Sequence, residues 1–402
     1  MTRETPGPDP SHPITRRDLL RRAGIAGGLL ATGNVLAACG GGGTVGGLKS
    51  QSTPSSVGFP HTVAPKWTFA NWPEYIDVER KTHHQSLELF DAKYSTKTTY
   101  VEPINDNAEF FGKVQPQLQA GQNIGYDIVV LTDWMASKWI QLGYAQPLDT
   151  SLLPNYEANL VDVLRGRSID PKNQYLVPWQ SGLTGIGYNE NLVDKRPTSV
   201  NDLWNPKYKG HVTLLTEMRD TFGLVMLSLG IDPAKCTVDD AKKAADAIRP
   251  HVESGQVRAF TGNNYIQGLT SGSITMGMVW SGDMVQLQAD NPNLKFVVPD
   301  DGCMIWTDNM LIPQKAAHPY NAHLWMNFYY QPKIAAIVED WVNYICPVDG
   351  ATDVLLSKDP SVAKNPLIFP PKSTLSKAHV FKALSPDEDQ KFNEFFQQLQ
   401  GA

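Results

Sequence analysis

Cysteine is scarce in this sequence, apolar runs are short, and the motifs of the commonest enzyme chemistries are missing. Four cysteines in 402 residues are too few for a disulfide-held scaffold, so the fold must rest on buried apolar cores. Beyond the first 38 residues no apolar run is long enough to span a bilayer. The chain has no G-x-S-x-G elbow, no H-E-x-x-H helix and no Walker loop, which removes the usual signatures of serine hydrolases, zinc peptidases and nucleotide hydrolases. The nine histidines are scattered; the one adjacent pair, His83-His84, cannot share a helix face, so no metal site and no other cofactor is predicted. Positive charge is not in excess either. The formal net charge is −6, and the first 38 residues hold five arginines and three acids, so thirty basic groups face thirty-eight acidic ones in the rest. That balance argues against a nucleic-acid partner and suits a cationic one.

The N-terminus carries the strongest local signal. Thr15-Arg16-Arg17-Asp18-Leu19-Leu20-Arg21 is a twin-arginine export motif, followed by a Gly-interrupted apolar stretch too short to cross a membrane. Leu36-Ala37-Ala38-Cys39 resembles a bacterial lipobox. Residues 1–38 are therefore expected to be a cleaved leader, with Cys39 acylated as the first mature residue and the protein lipid-anchored on the outer face of the cell membrane. The Gly-, Ser- and Pro-rich residues 39–65 read as a flexible tether. Export leaves Cys236, Cys303 and Cys346 in an oxidising compartment. Pairing of Cys303 with Cys346 and three buried free thiols are both open, because the Cα separation a disulfide needs is not legible.

From Lys66 onward short apolar strands alternate with amphipathic helices. Strands are predicted at 67–72, 126–131, 184–188, 212–215, 274–280 and 296–298. Asp127-Ile128-Val129-Val130-Leu131 is apolar on both faces, as a parallel strand covered by helices should be. Helical spacing appears around Leu87 and Phe90, at Phe110, Phe111, Val114 and Leu118, through 241–248, and at Phe392, Phe395, Phe396 and Leu399. The alternation predicts an α/β fold with mixed, mainly parallel sheets. A length of 402 residues suggests two lobes rather than one core. Tyr329-Tyr330, Trp179 and Trp204 read as packing residues.

Several segments carry recognisable text: Asn71-Trp72-Pro73-Glu74-Tyr75, Thr132-Asp133-Trp134, Val177-Pro178-Trp179, Ile186-Gly187-Tyr188-Asn189, Asp202-Leu203-Trp204-Asn205-Pro206, Gly277-Met278-Val279-Trp280-Ser281-Gly282-Asp283, Trp306-Thr307-Asp308 and Asn343-Tyr344. In this order and spacing, from about residue 66 to the C-terminus, they resemble the spermidine/putrescine-binding proteins of bacterial ABC importers. The resemblance implies a two-lobed, type II periplasmic-binding-protein-like fold that hinges shut on its ligand. It places lobe one at 66–182 plus 308–346 and lobe two at 183–307 plus 347–402. It implies a monomer that is no enzyme and that meets a membrane permease. Its ligand contacts carry over to Trp72, Glu74, Tyr75, Thr132, Trp134, Glu217, Asp220, Trp280, Asp283, Trp306, Asp308 and Tyr344.

The chemistry of these side chains fits that reading. A polyamine is a chain of ammonium groups separated by methylenes; burying it requires a carboxylate near each charge and apolar walls between. Aromatic faces serve both needs, because the ring quadrupole also attracts ammonium. The expected assignment puts Glu74 and Thr132 on one terminal ammonium, Asp308 and Asp220 on the inner amine, and Glu217 at the far end. Two departures stand out: Pro73 replaces a usual hydroxyl residue, and Lys382 falls roughly where relatives place a glutamine near the distal end. The rival readings are a binding protein for a ferric ion, a sugar or another small solute, and a secreted hydrolase using Glu217 and Asp220.

Overall fold

Why the chain folds into two cores is visible in how its strands bury both faces. The computed structural model describes residues 58–401 except 79–82, 105 and 168. Ten strands occur among the described residues: β1 (Trp67–Ala70), β2 (Thr98–Val101), β3 (Ile128–Thr132), β4 (Val177–Asn189), β5 (Val212–Leu215), β6 (Val257–Thr261), β7 (Met276–Trp280), β8 (Leu294–Val297), β9 (Cys303–Leu311) and β10 (Ala378–His379). Their hydrogen-bonded order is β2-β1-β3-β9-β4-β7-β5-β6, with β10 on β9 and β8 on β4. The β2-β1-β3 and β7-β5-β6 groups are parallel, whereas β9 is antiparallel to β3 and β4, and β4 to β7.

The first lobe is a sheet sandwiched between two helical layers. Side chains alternate across β3: Ile128 and Val130 enter one core, Val129 and Leu131 the other, all wholly buried. Helix Asn107–Gln119, N-capped by the Asp106 carboxylate, delivers Phe110, Phe111, Val114 and Leu118 to the second of these layers. The second lobe has its own core, built from β5, β7, β8 and helix Met218–Ser228. It is closed by helix Pro386–Gln400, which begins at a Ser385/Glu388 capping box and buries Phe392, Phe396 and Leu399. Each of these aromatic rings contributes about 1.5–3 kcal/mol by leaving water. Tyr329, Tyr330 and Trp179 are wholly buried in the first lobe, and Trp204 packs on the second core.

β4 and β9 run through both halves. Within the thirteen buried residues of β4, 177–184 pair with β9 and 184–189 pair with β7 and β8, so one strand leaves the first core and enters the second.

The structure departs from expectation in two places. Residues 347–402 are expected in the second lobe, yet Val348 and Ala351 join the first core, and Leu355 and Ala363 pack on Ala336 of helix Pro332–Val342; only later does the chain return to β9 and the second core. Apolar residues on the short helices of this stretch find their partner in the preceding helix, the nearest exposed apolar face. The end of the expected tether lies against the first lobe: Ala64 exchanges hydrogen bonds with Asn321, and His61 stacks on Tyr320. Cys236, Cys303 and Cys346 are buried free thiols, so Cys303 and Cys346 are not joined. Arg16-Arg17 and Cys39 lie outside the described residues.

Candidate ligand-binding site

The predicted site residues converge where β4 and β9 cross between lobes. Asp308 stands directly opposite Thr132 in the antiparallel β3–β9 pair. Its carboxylate accepts the Thr132 hydroxyl at 2.7 Å and the Tyr75 hydroxyl at 2.8 Å. Thr132 in turn accepts from the Asn107 amide at 2.9 Å, so its hydroxyl is held between that amide and the Asp308 carboxylate. Trp72 lies beside this group, its indole N–H donated to the Val130 carbonyl at 3.0 Å. Glu74 is half-buried in the same loop at φ 56°, with its backbone N–H donated to Glu102.

Across the crossing, Asp220 in the first turn of helix Met218–Ser228 has an equivalent setting. It accepts the Thr184 hydroxyl and the Trp280 indole N–H, both at 2.8 Å. Thr184 faces Trp280 in the β4–β7 pair, and the Trp306 indole donates to the Thr184 hydroxyl at 3.2 Å. Asp283, in the first turn of helix Ser281–Asp290, accepts from the Tyr265 hydroxyl at 2.5 Å and the Asn263 amide at 2.8 Å.

Tyr344 joins the two sets. Asn343 ends helix Pro332–Val342 in a left-handed conformation and turns the chain, and Ser181 and Ile345 form a bridge that pins the next residue to β4. The Tyr344 ring then packs 5.7 Å from Tyr75 and 5.6 Å from Trp306, and its hydroxyl reaches Asp283 at 3.4 Å. Two glycines make room. A Cβ on Gly182 would come within 2.3 Å of the Trp306 ring, and one on Gly282 within 2.3 Å of the Tyr344 ring.

The electrostatics follow from burial. Desolvation lifts the Asp308 acid to about 6, opposed by its two hydroxyl partners and aided by nearby Asp133. Desolvation and then the Glu217 charge lift Asp220 to about 7. Both carboxylates are only 6% exposed, and Tyr75, Thr132, Thr184 and Trp280, which donate to them, are neutral. Such acids favour a cation that would restore their charge.

One participant was missed. Arg219 follows the N-cap residue Glu217 and lies with its guanidinium 4.1 Å over the Trp134 ring on the opposite lobe. It pairs with Asp389 at 2.5 Å and with Glu217 at 3.6 Å, and only 11% of its side chain is exposed. Trp134 and Glu217, expected to touch ligand, therefore touch this arginine. Lys382, suspected of entering the cleft, instead pairs with Glu388 and donates to the Cys236 carbonyl.

Two α/β lobes crossed by paired strands, with buried acids and aromatic rings gathered at the crossing, are the architecture of a solute-binding protein. Residues 124–369 match the family of bacterial extracellular solute-binding proteins, and the chain belongs to it. It is 29% identical to the spermidine/putrescine-binding periplasmic protein of Salmonella typhimurium, over 82% of this chain and 90% of that one. It is 28% identical to the putrescine-binding periplasmic protein PotF of Escherichia coli, over 79% and 87%. The solved structure of the spermidine/putrescine ABC transporter substrate-binding protein PotD from Streptococcus pneumoniae superposes with a TM-score of 0.72 at 25% identity, covering 84% of this chain and 99% of that one.

Proposed function

We propose that this protein captures a polyamine between its two lobes and delivers it to the permease of an ABC importer, acting as a carrier and not as an enzyme. The observation that carries the reading is the pairing of Asp308 and Asp220, each buried, each held by two neutral donors, and linked through Tyr75, Tyr344, Trp306 and Thr184. Two anionic stations separated by aromatic rings match two ammonium groups separated by methylenes. Charge-assisted hydrogen bonds of about 1.5–3 kcal/mol each, with cation–π contacts of about 2, reach the roughly 8 kcal/mol of a micromolar ligand after ordering costs. The relatives named for spermidine and putrescine support the same ligand class. Trp72, Glu74, Tyr75, Asp283, Trp280, Trp306 and Tyr344 complete the proposed lining.

The proposal includes export through the Arg16-Arg17 leader, acylation of Cys39, and action as a monomer on the outer face of the membrane. Lobe one comprises residues 66–182 and 308–346, joined by residues 348–369; lobe two comprises 183–307 and the C-terminal helix. Calorimetric titration with putrescine, spermidine, glucose and ferric citrate tests the ligand class: polyamine binding at micromolar concentration with no response to the others is expected. Binding of a sugar or iron alone would overturn it. Labelling with radioactive palmitate, abolished by Cys39→Ala, tests the anchor.

A further inference from the structure

One residue beyond the facing pair Thr132 and Asp308, the chain sets a second polar group. Asp133 follows Thr132 and opens helix Asp133–Gln141; Asn309 follows Asp308 on β9 and is wholly buried. Arg167 reaches both. One guanidinium nitrogen donates to the Asp133 carboxylate and another to the Asn309 side-chain oxygen, each at 2.5 Å. The Asn309 amide nitrogen donates to Asp133 at 2.8 Å and to the Thr307 carbonyl at 3.1 Å. The three side chains close a ring. It fixes the orientation of the Asn309 amide and ties the residues that follow Thr132 and Asp308 to one cation.

Arg167 is delivered by a braced segment. Asp170 accepts the backbone N–H groups of Gln174, Tyr175 and Leu176, and its own N–H donates to the Arg167 carbonyl at 2.9 Å. Only 16% of the Arg167 side chain and 25% of Asp133 are exposed, so solvent screens this pair less than a surface one. Tyr156 and Tyr330 also feel the Arg167 charge, but burial keeps both neutral; Arg165 beside them donates to the Glu157 and Leu160 carbonyls. Asp308 itself faces the Tyr75 and Thr132 hydroxyls and the Asp133 charge. After desolvation, that like charge is the second influence holding the Asp308 acid up at about 6. A like charge beside a buried carboxylate disfavours its ionised form, and a guanidinium, which keeps its proton at any working pH, cancels that charge at its source.

We propose that Arg167 is a positioning residue of the cleft: it neutralises Asp133 behind Asp308 and locks Thr132 and Asp308 in register, so that Asp308 meets an ammonium as a carboxylate. This rests on the polyamine reading of the same cleft. Arg167 acts through Asp133 and Asn309, not by touching the ligand. Its removal leaves the Asp133 charge uncompensated, which pushes Asp308 toward its protonated form. Removal of the Asp133 charge leaves the guanidinium uncompensated, which holds Asp308 in its charged form. The two substitutions therefore act with opposite sign, which a loss of packing alone does not do.

The test is calorimetric titration of putrescine from about pH 8 to about pH 5 into the parent, Arg167→Met, Arg167→Lys, Asp133→Asn and the double variant Arg167→Met with Asp133→Asn. Carboxyl-carbon NMR of Asp308 follows its ionisation in the same proteins without amine. In Arg167→Met the pH at which affinity has dropped about tenfold should rise by about one unit. In Asp133→Asn it should fall by a similar amount, and in the double variant it should return to the parent value. Arg167→Lys keeps the charge and should stay within about half a unit of the parent. The NMR midpoints should move in the same directions. Shifts of the same sign in Arg167→Met and Asp133→Asn, or shifts below about 0.3 unit in both, overturn the proposal. A double variant that keeps the Arg167→Met shift also overturns it. If Arg167→Met does not fold, the Asp133→Asn shift decides: downward supports the proposal, and none or upward overturns it. A parent that binds no polyamine overturns the polyamine reading instead, a failure the amine-free NMR midpoints keep separate.

Discussion

Acidification from about pH 8 to about pH 5 should weaken polyamine binding while strengthening the ligand-free fold at the same two residues. Asp220 titrates at about 7 and Asp308 at about 6. At about pH 5 only about one Asp220 in a hundred and one Asp308 in ten carries the charge that an ammonium needs, so losses of about a hundredfold and tenfold are expected from the two acids. The amines themselves, like a lysine near 10.4, stay about fully charged throughout. Near about pH 6.5 binding should release about one proton per ligand as both acids are driven to ionise. Stability runs the other way. An acid whose folded value is raised holds more protons than the unfolded chain, so its contribution is complete below about 4 and is lost as pH climbs through 7; for Asp220 the full span is on the order of 4 kcal/mol. Titration calorimetry in buffers of different ionisation enthalpy measures affinity and proton release together, with thermal unfolding of the parent and Asp220→Asn alongside. A putrescine affinity that changes by less than threefold over the range, or binding without proton release, would refute the assignment of these two carboxylates as the cation stations.

Further outcomes follow from individual contacts. Asp308→Asn should lower putrescine affinity by about 2–4 kcal/mol, thirtyfold or more, without lowering the melting temperature of the ligand-free protein; a calorimetric loss below threefold would remove Asp308 from the site. Gly282→Ala drives a methyl into the Tyr344 ring and should obstruct closure, weakening binding about tenfold through faster release in stopped-flow measurements, whereas an unaltered rate would show that the two surfaces need not approach. Glu339 is wholly buried beside the Gln180 amide and the Cys346 thiol, and burial pushes its acid well above the ordinary range. Glu339→Gln should therefore raise the melting temperature, by an amount equivalent to about 1–3 kcal/mol at about pH 8, with the gain shrinking toward pH 5; a lower melting temperature at both would contradict it.

How much of this was legible in the sequence depended on whether the cause was local. The double-faced run ending at Leu131 announced a covered strand, and the Phe392–Leu399 spacing announced a docked helix, because burial imposes a period. Trp280, Trp306, Asp308 and Tyr344 could be singled out because their motif neighbours are specific. β9 was not foreseen as a strand, since its Trp306, Thr307, Asp308 and Asn309 break the apolar pattern; pairing on both sides, with β3 and β4, holds them extended. Arg219 gave no signal at all. In the text it is a cation between two acids at a helix start, and its role arises only when Trp134, 85 residues earlier, and Asp389, 170 residues later, arrive beside it. The position of residues 348–369 was likewise a matter of which apolar face lay nearest in space.

The continuous ladder from β3 through β9 and β4 to β7 has a mechanical corollary. Rotation between the halves flexes a ribbon whose strands stay paired to each other, with one irregularity between Pro178 and Gln180. Such a ribbon resists sliding and shear far more than it resists bending and twist, so the two bodies move along essentially one coordinate. A permease touching both rims would then read occupancy as a single angle.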